Sequence, residues 1–387
     1  HRASTLKRIK GHPRVLAIQD TSELDYSTHE STSGLGYLES DQQFGIKYHP
    51  LLIASTEGVP QGLLQHRFWT RPLWEYGKKD QRHHKPIEEK ESYRWLETVT
   101  YASSQIPAET EIVNIADREA DIYELFAMKR SANSRLLIRA THNRSLEDGS
   151  GTLFQSLQQV HDSEQIEVSI GHRKGQSSRK ARLSLRYTRV CLASPQKKSI
   201  APVELSAIEV HEPDPPDGST PVRWVLLTDL EVNSSEDLFT YVRYYSLRGL
   251  IERYFFTLKS GCQVENLQLE TAKKLTNAIA TYSIMALKLM FAMYESRTRP
   301  EETCEFFLNP GEWIVLYWLI HKKPPKKQPP TLQEAVLWMA KLGGFMARKS
   351  DGHPGIKTLW RGYKRLNEAC CLYSITQTYQ YPFVYKP

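Results

Sequence analysis

The sequence is poor in cysteine and contains no long apolar run. Its five cysteines, Cys191, Cys262, Cys304, Cys370 and Cys371, are scattered and form no C-x-x-C pair. An odd number at wide spacing argues against a disulfide framework and against a structural zinc site, and fits a reducing cytosol. No stretch approaches the ~20 apolar residues that span a bilayer. The longest, Trp313 to Ile320, is short and runs into charge. The opening residues are polar and lack the apolar centre of a signal peptide. Internal repeats and long low-complexity segments are also missing. These absences lead to the expectation of a cytoplasmic protein with no membrane partner.

What is present is ordinary in bulk and uneven in detail. Apolar residues make up 40% and charged residues 25% of 387 positions, as in a globular protein long enough for two or more packed units. The net charge of +7 is concentrated. His172, Arg173, Lys174, Arg179, Lys180, Arg182, Arg186 and Arg189 lie in one stretch, and Lys322, Lys323, Lys326 and Lys327 form a second cluster broken by prolines. Such clusters attract polyanions by releasing condensed counterions, so nucleic acid is a candidate partner. A solvated basic face explains either cluster equally well.

Along the chain, Arg14–Asp20 reads as a buried strand ending in an acid, followed by strand-like runs at 51–55 and 63–69. A helix is expected at 88–103, a second acid-tipped strand at Glu111–Asp117, a helix at 119–129 and a strand at Leu136–Ala140. This alternation indicates an α/β layer architecture. Residues 141–230 carry short β-like runs separated by Gly, Pro and Ser, and read as a β-rich insertion. Helices are expected at 236–243, 247–259, 270–295 and 332–342, with a Lys/Pro-rich linker at 322–330.

Tyr245, Arg248, Glu252 and Lys259 stand at offsets of 0, 3, 7 and 14. On a continuous α-helix they fall within an arc of roughly 60°. Leu247, Leu250, Ile251, Tyr254 and Leu258 occupy the opposite face. Periodicity alone is satisfied by a plain i,i+4 salt-bridge pattern. The exact spacing, Y-x2-R-x3-E-x6-K, resembles the signature of the bacterial insertion-sequence transposases of the IS-four family, the group of the Tn-five transposase. Ile18-Gln19-Asp20-Thr21 and Asp117-Arg118-Glu119-Ala120-Asp121-Ile122 resemble the segments around that family's first and second catalytic aspartates. The tail from Leu342 to Gly362 resembles its C-terminal region.

The resemblance implies an α/β, ribonuclease-H-like catalytic core with a β-rich insertion and a C-terminal helical region. The implied division is 1–140 for the first part of the core, 141–230 for the insertion, 231–295 for the rest of the core and 296–387 for a helical dimerisation region. Asp20, Asp117 and Glu252 are the implied catalytic and metal-binding residues, expected to converge within ~8 Å to share two Mg²⁺ ions, with Mn²⁺ able to substitute. Hard divalent cations take oxygen ligands, and two of them suit in-line displacement at phosphorus. Taken singly, Asp20 and Asp117 read equally as turn residues after strands.

By the same resemblance, Tyr245 and Arg248 grip a phosphate, and Lys259 contacts DNA from the same face. Arg139 matches a further phosphate-contacting position, although an ordinary surface arginine fits it too. Trp224 matches a position whose indole stacks on a base swung out of the duplex, although a tryptophan in an apolar strand also serves as core. The implied function is a DDE transposase, a Mg-dependent enzyme that nicks the element's end, forms and opens a hairpin, and transfers the strand. Its partners are double-stranded DNA, at element ends and target, and a second copy of the chain when DNA is bound. The implied location is the bacterial cytoplasm, at the nucleoid when active. Family members carry a DNA-recognition region ahead of the first aspartate, and its expected absence before Asp20 raises an alternative. That alternative is a non-catalytic regulator forming inactive dimers with a full-length transposase. A general ribonuclease-H-like nuclease explains the acids but not the Tyr-Arg-Lys pattern.

Overall fold

The computed structural model describes residues 1–78, 85–170, 179–195, 200–325, 327–348 and 350–379. The chain opens with helix α1 (Arg2–Ile9) and strands β1 (Arg14–Gln19), β2 (Ser22–Asp25), β3 (Gly36–Tyr37), β4 (Phe44–Ser55) and β5 (Pro60–Trp69). Next come α2 (Tyr93–Gln105), β6 (Glu111–Ala116), α3 (Tyr123–Ala127), β7 (Ser134–Arg139) and α4 (Leu153–Gln158). Strands β8 (Glu164–Ile170), β9 (Arg179–Leu192), β10 (Val203–His211) and β11 (Arg223–Thr228) follow. The remainder is helical: α5 (Ser235–Ser246), α6 (Gly249–Phe256), α7 (Ala272–Thr298), α8 (Pro310–His321), α9 (Leu332–Leu342) and α10 (Ile356–Tyr379).

Among the described residues these strands join one mixed sheet in the order β2-β4-β1-β6-β7-β11-β10-β9-β8, with β3 and β5 also paired to β4. β1 runs antiparallel to β4 and parallel to β6, and β6 runs parallel to β7. The unbroken apolar run of β1 follows from burial on both faces. Leu16 and Ile18 enter the main core, while Val15 and Ala17 pack with Ile9 of α1 and Ala102 of α2.

The 141–230 segment, expected to be β-rich, carries four strands. Its strands β8–β11 extend the core sheet through antiparallel pairing of β11 to β7, and α4 lies within it. Sequence patterning reports strands but not which edge they join. The helix expected at 119–129 is a single 3₁₀ turn (Arg118–Ala120) and the short α3.

Helix starts in the C-terminal half are written in capping boxes, in which a side chain and a backbone amide satisfy each other reciprocally. Ser234 with Asp237 starts α5, Asn309 with Glu312 starts α8, and Thr331 with Glu334 starts α9. Helix α7 stands where a helix was expected at 270–295. It has 27 residues and is long and apolar enough to cross a membrane by length and composition. Lysines and hydroxyl residues interrupt its sequence, which is why no long apolar run was read there. Its Leu275, Ile279, Leu289 and Met290 are fully buried in the main core.

A chain of buried hydroxyls fastens α6 to this frame. Tyr48 of β4 meets Tyr254 of α6 at 2.7 Å, and the Tyr254 hydroxyl donates to Ser283 Oγ of α7 at 2.7 Å. Ser283 in turn donates to the Ile279 carbonyl at 2.7 Å. Tyr254 and Ser283 each donate once and accept once, and Tyr48 also meets His66 Nδ1 at 2.8 Å, so these buried polar groups have partners.

Candidate active site

The register between the parallel strands β1 and β6 pairs Ala17 with Asn114 and Ile18 with Ile115. Carried two residues further, it sets Asp20 beside Asp117 at the strand ends. Each aspartate is tied by one oxygen to a nearby backbone amide. Thr21 N–H donates to Asp20 Oδ1 at 2.8 Å, and Glu119 N–H donates to Asp117 Oδ1 at 3.0 Å. Burial, and then the neighbouring charge of Asp117, push the Asp20 carboxyl up to about 7, against the opposing pull of Arg248.

Arg248 stands just before α6 and reaches both ways. Its Nη1 donates to Asp20 Oδ2 at 3.2 Å, and its Nη2 donates to Glu252 Oε1 one turn along the helix. One guanidinium thus joins the end of β1 to α6. Burial lowers its pKa, but Glu252, Tyr245, Asp20 and Asp117 together hold it above the usual arginine value. Glu252 is otherwise largely exposed, its side chain at 59%. Among the described residues no three His, Cys, Asp or Glu side chains are gathered closely enough to hold a metal ion; the Glu252 carboxylate pairs with Arg248.

Tyr245, at the end of α5, is buried at 4% exposure. Burial raises its pKa, Arg248 and Arg139 oppose that rise, and Asp117 adds to it. The tyrosine therefore sits among three of the residues singled out by sequence. Its ring meets Trp224 of β11 edge-on, with centroids 5.3 Å apart at 64°. Trp224 is half-buried, and Arg139, at the end of β7, donates to the Arg223 carbonyl at 3.0 Å. Asp20, Asp117, Tyr245, Arg248, Glu252, Arg139 and Trp224 thus form one connected neighbourhood.

The single helix expected over 247–259 is α6 followed by a π-turn at Thr257–Gly261, closed by Cys262 N–H donating to the Thr257 carbonyl at 2.7 Å. A π-turn inserts an extra residue into the helical repeat, so the stripe calculated for a continuous α-helix does not hold at its far end. Lys259 pairs with Glu265 at 3.2 Å instead.

Sequence reading missed Arg94 and His49. Arg94 of α2 is nearly buried at 8% exposure. It donates to Thr21 Oγ1, to Glu119 Oε2 and to the Glu91 carbonyl, each at 2.9 Å. His49 of β4 touches Thr21 Oγ1 at 2.9 Å through Nδ1 and Gln19 Oε1 at 3.1 Å through Nε2. Burial, then Arg94 and Arg67, push its pKa well below the usual histidine value. The neutral ring therefore donates from Nε2 to Gln19 and accepts at Nδ1 from Thr21. No local motif marks either residue, because their partners come from other strands.

The basic stretch is less free than its composition suggested. Arg179 pairs with Glu212, Lys180 with Glu167 and Arg186 with Glu209 across neighbouring strands. His172, Arg173, Lys174 and Lys326 lie outside the described residues.

Residues 284–377 match the family model of the transposase Tn5 dimerisation domain. The match begins inside α7 and takes in α8, α9 and nearly all of α10. It ties the C-terminal part of the chain to Tn5-type transposases and to dimerisation. The carboxylate neighbourhood lies outside the matched segment, but α7 carries Ser283, the anchor of the Glu252 helix, immediately before it.

Proposed function

We propose that the chain is a DDE transposase that cleaves DNA at the ends of its element and joins them to a target, with Asp20, Asp117 and Glu252 as the catalytic carboxylates. The observation that carries this reading is the Arg248 bridge between Asp20 and Glu252, beside Asp117. It brings together residues from two strand ends and a helix in the order that a ribonuclease-H-like core requires. The strand arrangement supports such a core: β5, β4 and β1 are antiparallel neighbours, and β6 and β7 continue parallel to β1.

The donor set fits Mg²⁺ or Mn²⁺. All the candidate ligands are carboxylate oxygens, and two of them, on Asp20 and Asp117, stand side by side with mutual repulsion that a cation would relieve. Bound there, two such ions would activate the attacking oxygen and ease departure of the leaving one. Arg248, released from Glu252, and Arg139 would hold a DNA phosphate, and a guanidinium fork suits that contact. Trp224, half-buried against Tyr245, offers an indole for stacking with an unpaired base. Lys259 would contact the backbone once freed from Glu265.

The dimerisation match favours a second reading, an association-only partner that disables a full-length transposase. Excision of the element encoding this chain, scored in cells with the protein supplied from a separate gene, separates the two. The first reading expects excision by the wild-type chain and its loss with Asp20→Ala, Asp117→Ala or Glu252→Ala. Excision at the wild-type rate by any of these variants would overturn the catalytic assignment. No excision by the wild-type chain, with dose-dependent suppression of a related active transposase, would establish the second.

A further inference from the structure

Thr21 and Glu119 share a feature. The backbone amide of each holds Oδ1 of a catalytic-candidate aspartate, and the side chain of each is held by Arg94. Thr21 N–H donates to Asp20 while its Oγ1 accepts from Arg94 Nε. Glu119 N–H donates to Asp117 while its Oε2 accepts from Arg94 Nη2. The arginine touches neither aspartate. We infer that Arg94 is the positioning residue of the site, a fork that fixes the separation and orientation of the Asp20 and Asp117 carboxylates through Thr21 and Glu119.

Three further observations support this assignment. The guanidinium is itself held, donating from Nη1 to the Glu91 carbonyl and lying 5.1 and 5.6 Å from the ring centroids of Trp95 and Trp69. A group pinned on its other sides can pin its partners. Thr21 is in turn polarised by His49, so Arg94 Nε–H, Thr21 O–H and His49 Nε2–H donate in a single direction towards Gln19. The arrangement holds Asp20 by Oδ1 and leaves its Oδ2 to Arg248. Lysine cannot replace the fork, because an ammonium is a point donor on a flexible stem.

The inference rests on the proposed metal-dependent reading, and its test is built to tell the two apart. Mn²⁺ binding to the purified chain without DNA is measured by the electron paramagnetic resonance of free Mn²⁺, with thermal melting in EDTA alongside. Arg94→Lys is expected to weaken Mn²⁺ binding by ~10–100-fold, the range for partners that orient metal ligands. Glu119→Ala breaks the same link at an exposed side chain, where misfolding is not at issue, and is expected to give a smaller loss with unchanged melting. Unchanged Mn²⁺ affinity in folded Arg94→Lys, or in Glu119→Ala should Arg94→Lys not fold, would overturn the positioning role alone. Wild-type protein that binds no Mn²⁺, or binds it equally after Asp117→Ala, would overturn the underlying metal reading and this inference with it.

Discussion

Arg248 donates to Asp20 at 3.2 Å across 228 residues of sequence, and with its other terminal nitrogen to Glu252 in the next turn of its own helix. A single cation thereby ties the first strand of the sheet to the helix that carries the third carboxylate. Arg248→Gln removes two charge-assisted hydrogen bonds, of the kind that contribute about 1.5–3 kcal/mol each when well formed, here reduced because Glu252 is largely exposed. The variant is expected to fold, to melt a few degrees lower at neutral pH, and to lose excision. Wild-type excision by Arg248→Gln would remove Arg248 from the site.

The buried, charge-crowded position of Asp20 makes a pH prediction for the metal-free protein. Its carboxyl stands at about 7 in the folded chain against an ordinary 3.8. Between those values the folded state holds a proton that the unfolded state has released. Stability therefore falls as pH rises through this window, by up to about 4 kcal/mol. Asp20→Asn is expected to raise the melting temperature in EDTA at pH 8 and to leave it nearly unchanged at pH 4. Equal shifts at both pH values would show that the carboxyl ionises normally.

Much of the framework was legible in the sequence. The run Arg14–Asp20 announced a buried strand ending in an acid, and a helix was expected over Leu332–Leu342, where the structure has one. The Tyr-Arg-Glu spacing drew attention to residues that the fold brings together. The far end of the Tyr-Arg-Glu-Lys stripe was not legible, because nothing in a periodic pattern signals the extra residue of the π-turn at Thr257–Gly261. Arg94 escaped notice because its meaning lies in two strand ends far from it in sequence. The basic stretch around Arg179–Arg186 looked free because pairing acids such as Glu209 and Glu212 arrive from another strand.

The Tyr48–Tyr254–Ser283 relay is expected to matter for stability and for the seating of Glu252, two residues from Tyr254. Tyr254→Phe leaves two buried hydroxyls without their shared partner and costs about 1–3 kcal/mol. Urea unfolding should show a lower midpoint with an unchanged slope. An unchanged midpoint would mean that the relay contributes little.

Dimerisation is expected to use the end of α10, where Leu372 is 66% and Ile375 53% exposed within the segment matching the dimerisation domain. The paired substitution Leu372→Asp and Ile375→Asp should shift sedimentation towards monomer over a concentration series, with and without a DNA duplex. The melting temperature should hold, because these side chains support no core in the single chain. Undiminished association would place the contact elsewhere.

The central claim is that Asp20, Asp117 and Glu252 are one divalent-metal site. Crystals of the wild-type chain soaked in Mn²⁺ and measured at an anomalous wavelength test it most directly. The account predicts anomalous density between the ends of β1 and β6, coordinated by Asp20 and Asp117, with Glu252 turned from Arg248 to join them. An Arg248–Glu252 bridge left intact, with no anomalous density at the two aspartates at saturating Mn²⁺, would contradict it.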